Sequence, residues 1–64
     1  MLMIYGKRKG SRFFYPMDMN EGQPVKNKIY ATVYDDSQKT RLEKSLVNLN
    51  AENPDWTFEL RHTN

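Results

Sequence analysis

Met1-Leu2-Met3-Ile4-Tyr5 is apolar at every position, with no polar partner on either side of an alternating pattern. A strand of that kind is covered on both faces, which places it at the centre of a sheet. Gly6 and a polar cluster with Gly10 and Ser11 follow, and then Arg12 to Pro16, again strand-like. Two such runs joined by a short glycine-containing segment predict a hairpin. Residues 17–24 read as a loop, broken by Asn20, Gly22 and Pro24.

Residues 26–34, KNKIYATVY, alternate most clearly. The pattern predicts a strand with Ile29, Ala31 and Val33 on one face and Tyr30, Thr32 and Tyr34 on the other. Asp35, Asp36 and Ser37 then suit the free N–H groups and positive end of a helical first turn. Leu42, Leu46 and Leu49, with Val47 beside them, form one apolar stripe and predict a helix over roughly 37–50. Pro54 prevents its continuation and constrains Asn53. Residues 56–62 alternate again, with Trp56, Phe58, Leu60 and His62 on one face and Thr57, Glu59 and Arg61 on the other.

The predicted order is β-β-β-α-β in one domain over residues 1–64: an α+β fold in which one helix packs on one face of a four-stranded mixed sheet. A helical crossover implies that the third and fourth strands are parallel. In a meander the first strand is parallel to the third, so the fourth can pair with either. The all-apolar first strand favours the order 3-2-1-4. The expected helix-side core is Leu2, Ile4, Phe13, Tyr15, Ile29, Ala31 and Val33. From the second half of the chain it adds Leu42, Leu46, Val47, Leu49, Trp56, Phe58 and Leu60.

This pattern leaves the other sheet face without a helix. Met1, Met3, Tyr5, Phe14, Tyr30, Thr32 and Tyr34 would lie there beside Thr57, Glu59 and Arg61. Monomers rarely leave so large an apolar patch unused, and tyrosine joins broad contact area to a wet polar tip. The bland reading is a set of scattered sheet residues with solvated hydroxyls; the favoured expectation is that the face binds a protein, a second copy of the chain or nucleic-acid bases. A small domain also gains from partner burial, since a chain of about this size hides only about 60% of its unfolded surface.

Charge sharpens the picture. Residues 1–32 carry six Lys/Arg against two acids, and residues 33–64 four against six, so the net +2 divides into +4 and −2. The basic character is therefore local: Lys7, Arg8 and Lys9 at the hairpin tip, Arg12 just inside the second strand, and Lys26 and Lys28 before the third. Charged tips keep hairpins soluble and block edge pairing. The same cations beside aromatics also suit phosphate contact with base stacking. Alternation limits that reading, because of Phe13, Phe14 and Tyr15 only Phe14 shares the uncovered face.

Catalytic, metal and cofactor chemistry find little footing. There is no cysteine, and the single histidine, His62, lies near the end of the sequence. Asp35-Asp36 is explained as a helix cap. GKRKG lacks the glycine spacing and following Lys-Ser/Thr of a phosphate-cradling loop. Carboxylates are too scattered to hold a metal. No apolar run nears the ~18 residues of a membrane span, and the order of apolar and charged residues at the start is not that of a secretory signal. The expectation is a cytoplasmic protein that is not an enzyme and has no cofactor.

In size, absence of staples and uncovered aromatic face, the chain resembles the small accessory proteins of bacteriophages and mobile elements. That resemblance implies a binder that blocks or redirects a host protein or a nucleic-acid-processing or defence complex. Its expected anchors are Tyr5, Phe14, Tyr30 and Tyr34, with Arg8 and Arg12 at the rim. The alternative is a nucleic-acid-binding module using Lys7, Arg8, Lys9, Arg12, Lys26 and Lys28. A homodimer through the uncovered face is a third expectation.

Overall fold

The computed structural model describes residues 1–63. Among the described residues five strands and one α-helix form an α+β fold. The strands are β1 (Leu2–Arg8), β2 (Tyr15–Asp18), β3 (Gln23–Pro24), β4 (Val33–Tyr34) and β5 (Trp56–His62), with helix α1 (Lys39–Glu52) between β4 and β5. The apolar β1 is central, as its pattern requires. β5 pairs with it along its whole length, from Leu2 opposite His62 to Arg8 opposite Trp56. The other edge of β1 is shared. β4 takes the beginning, with Leu2 opposite Tyr34, and β2 takes the middle, with Tyr5 opposite Pro16.

Every neighbouring pair is antiparallel, so the sheet is not mixed. The crossover expectation holds in part. β4 and β5 are both antiparallel to β1, hence parallel to each other, and α1 carries the chain across β1 between them. The meander assumption fails, because β4 bonds directly to β1 instead of flanking β2.

The largest departure is residues 26–34. Only Val33 and Tyr34 are strand; Lys28–Tyr30 form a 3₁₀ turn. The Asn27 side chain accepts the Ile29 N–H at 3.1 Å. Backbone bonds from Tyr30 N to Asn27 O and from Ala31 N to Lys28 O continue the turn. Asn offers the backbone such local bonds in competition with a sheet ladder, and here the local bonds win over alternation. The second strand also starts later than expected, at Tyr15, leaving Arg12, Phe13 and Phe14 in the connecting loop.

These shifts change the core. Leu2, Ile4, Met17, Leu42, Leu46 and Phe58 form its buried centre, with Met19, Tyr34, Leu49, Trp56 and Leu60 packed around it. Phe13, Tyr15, Ile29, Val33 and Val47, all expected inside, are exposed. Tyr34 moves the other way. It lies opposite Leu2, and cross-strand partners share a face, so it joins Leu2 on the helix side. Gly6 closes the centre: a Cβ there would fall 2.8 Å from Met17 Sδ and 2.9 Å from Phe58 Cε1. Only a hydrogen at that position lets Met17 and Phe58 meet over β1.

The helix starts without a side-chain cap. A 3₁₀ turn, Asp36–Gln38, leads into α1, and neither Asp35 nor Gln38 caps a helical N–H with its side chain. Asp35 instead accepts the Ser37 hydroxyl at 3.1 Å. At the other end, the Asn53 N–H and side-chain amide both donate to Leu49 O. The Asn50 amide then reaches β5, accepting from Phe58 N at 2.7 Å and donating to Phe58 O at 3.1 Å. Both Phe58 backbone groups thus point away from β1, and Asn50 stands in for a neighbouring strand at that edge.

Candidate functional site

Strand alternation decides which side chains face away from the helix. Leu2, Ile4 and Gly6 turn toward α1, so Met3, Tyr5 and Lys7 occupy the reverse face of β1. Thr57, Glu59 and Arg61 occupy the reverse face of β5 by the same register. Met3 is only 5% exposed. It is buried outside the helix-side core, between Arg61 and Val33 across the two ladders. Pro16, opposite Tyr5, is also buried. The reverse face therefore has a small apolar floor of its own and is less open than its pattern suggests.

On that floor stands a cation–aromatic cluster. The Arg61 guanidinium lies 4.4 Å from the Tyr5 ring centroid and 5.0 Å from that of Phe14. The Lys7 ammonium lies 5.4 Å from the Phe14 centroid. Arg61 Nε also donates to Glu59 Oε1 at 2.7 Å, and the two side chains form an ion pair. Such contacts contribute about 0.5–1 kcal/mol each at exposed sites. Their main effect is to hold Tyr5, Phe14 and Arg61 in one arrangement. Tyr5 and Phe14 are thus brought together as expected. Arg61, on the expected face but not among the expected anchors, joins them.

Tyr30 and Tyr34 separate. Tyr34 lies beside α1, so its expected place on the uncovered face is corrected. Tyr30 is 68% exposed and Ile29 73% exposed, on the 3₁₀ turn rather than on a strand. Three hydrogen bonds fix this turn, yet its two largest apolar side chains point into solvent. Alternation alone puts Ile29 in the core. The signal against that was Asn27, two residues earlier, where an Asx turn can form.

The basic tip is divided rather than unified. β1 runs through Arg8, so Lys7 and Arg8 are strand residues on opposite faces. Lys7 reaches Phe14, while Arg8 lies 5.2 Å from the Trp56 ring centroid on the helix side. Trp56 in turn stacks on Phe58, with centroids 5.6 Å apart and planes 6° from parallel. The turn itself is closed by Ser11 N donating to Arg8 O, with Gly10 at a φ of 89°. Arg12, Lys26 and Lys28 are exposed. A shallow cleft of about 410 Å³ opens beside Arg8, Lys9 and Trp56, and Asp55 lines it too. None of the six tip and loop cations forms an ion pair among the described residues.

Titration offers one feature. The Asp36 carboxyl is held below the usual carboxylate range, first by a hydrogen bond from the N-terminal ammonium 2.7 Å away. It lies on the surface. Among the described residues no group of three His, Cys, Asp or Glu side chains is placed to hold a metal ion, and no helix is long and apolar enough to cross a membrane. The chain matches no family model, no curated protein and no solved structure with which it was compared.

Proposed function

We propose that this protein is a non-catalytic binding protein that docks on another protein. Its proposed anchors are Tyr30 with its neighbour Ile29, and Tyr5 and Phe14 with Arg61 between them; exposed Arg12 is a rim contact, whereas Arg8, turned to the helix side over Trp56, is not. The observation that carries this reading is the turn at residues 27–31. A segment that spends three hydrogen bonds on presenting Ile29 and Tyr30 to solvent gains no core packing from them. Preorganised apolar anchors lose little freedom on binding, which is how small interfaces gain affinity. Aromatic and Arg side chains supply most of the energy of such contacts. The size and style of the chain favour an accessory protein of phage or mobile-element type, acting on a host protein or complex.

The test compares capture of host proteins by the immobilised chain with capture by Tyr30→Ala combined with Ile29→Ser, and by Phe14→Ala. Circular dichroism of each variant reports whether the fold is kept. A protein retained by the parent and lost by the folded variants supports the reading. The same proteins retained by all three refute it.

The unpaired cations support nucleic-acid binding as the second reading, through Lys7, Arg8, Lys9, Arg12, Lys26 and Lys28. It is the weaker one on physical grounds. Lys7 and Arg8 diverge to opposite faces, Asp55 sits in the basic cleft, and the Phe14 and Trp56 rings already carry cations where bases would stack.

A further inference from the structure

On the helix side, across the sheet from Tyr5 and Phe14, an open groove of about 300 Å³ lies between α1 and the β4 end of the sheet. Its floor is Ile4, Leu42 and Leu46, all buried, and its walls are Met19, Tyr34 and Leu49. Arg41 and Ser45, one helical turn apart and both exposed, stand at its mouth. No carboxylate lines it. Among the described residues Arg41 has neither an ion pair nor a side-chain hydrogen bond.

We propose that this groove binds a small aliphatic carboxylate. The hydrocarbon chain lies on the Ile4–Leu42–Leu46 floor, and the carboxylate meets the Arg41 guanidinium, with the Ser45 hydroxyl as a second donor. The volume is at the lower end of the range for small-ligand pockets, and such pockets join an apolar lining to a few polar groups that set orientation. The guanidinium fork matches a carboxylate with two parallel hydrogen bonds. A neutral chain of equal length leaves Arg41 without a partner, and a cationic one is repelled by it. This site is independent of the protein-binding reading, which stands or falls on Tyr5, Phe14, Ile29 and Tyr30.

The test uses the full chain, ¹⁵N-labelled, titrated with octanoate, octanol and octylammonium. Saturable amide shifts are expected around residues 41–49, Met19 and Tyr34, with octanoate binding roughly tenfold more tightly than octylammonium, a gap equal to one charge-assisted contact. Arg41→Gln should weaken octanoate by about five- to tenfold and leave octanol unchanged. Ser45→Trp should block both ligands by filling the mouth. Both substitutions fall at exposed helix positions, and the amide spectrum itself reports folding. If Ser45→Trp unfolds, the Arg41→Gln comparison still decides. Equal affinities for the three probes, an unchanged octanoate affinity in Arg41→Gln, shifts elsewhere on the surface, or no saturation would each overturn the proposal.

Discussion

Replacing Asn50 by Ala removes an amide that hydrogen-bonds the end of α1 to the outer edge of β5. Its amide makes two hydrogen bonds, at 2.7 and 3.1 Å, to the backbone of Phe58, a residue of the buried core. Each such bond contributes about 0.5–1.5 kcal/mol net, and a buried group left unpaired costs about 1–3 kcal/mol. Against this, Ala is a better helix former than Asn by about 0.5 kcal/mol. The balance is a loss of about 1–2 kcal/mol. For a domain of this length each kcal/mol moves the melting temperature by about 4–8 °C, so Asn50→Ala should melt roughly 5–15 °C lower. Asn50→Asp separates the two bonds, since it keeps the acceptor for Phe58 N but sets a carboxylate against Phe58 O. It should be at least as unstable as the Ala variant. Thermal and urea unfolding followed by circular dichroism measure both, and the Phe58 amide should exchange with solvent faster in each. An Asn50→Ala protein as stable as the parent would refute the reasoning. It would mean that water replaces the amide at no cost and that packing alone holds α1 on β5.

Gly6→Ala should destabilise by about 1–3 kcal/mol, the usual cost of overpacking, because the new methyl overlaps Met17 Sδ and Phe58; Met17→Val should recover part of that loss, and a neutral Gly6→Ala in urea unfolding would contradict the packing at β1. Tyr34→Ala should cost more than about 1 kcal/mol as a cavity beside α1, whereas Tyr30→Ala, exposed on its turn, should stay within about 0.5 kcal/mol; the reverse order in a melting experiment would restore the two tyrosines to a common face. Binding to a mixed oligonucleotide, measured between 50 and 200 mM salt as in the standard counterion-release experiment, should be weak throughout; tight binding that falls steeply with salt would favour the basic residues over the aromatic anchors.

What the chain reveals before its structure is known follows the strength of each local signal. The all-apolar run of residues 1–5 can be covered only at the centre of a sheet, and β1 is there. The Leu42–Leu46–Leu49 stripe orients α1, and the alternation of residues 56–62 sets the faces of β5 correctly. Residues 26–34 mislead because alternation and strand-forming side chains agree there, while Asn27 carries a local competitor. Once the turn forms, Val33 and Tyr34 enter beside β1 rather than β2. The register with Leu2 and Met3 then decides their faces, and no pattern within the segment encodes that register. Arg61 was legible as a face residue, but its place over Tyr5 and Phe14 depends on a loop that alternation had treated as strand.

The same departures separate folding from the proposed binding. Had residues 26–34 formed a full strand, Tyr30 and Tyr34 would have shared a surface, and any substitution there would have disturbed the sheet and the proposed interface together. Instead Tyr34 packs on the core while Ile29 and Tyr30 stand outside it on a turn closed by its own hydrogen bonds. Changing Ile29 or Tyr30 therefore removes exposed apolar surface without opening a cavity. If those side chains had no partner, their replacement by polar residues should raise solubility and alter nothing else. A loss of partner capture in a variant with unchanged melting temperature would have no folding explanation, and this turn makes that clean separation possible.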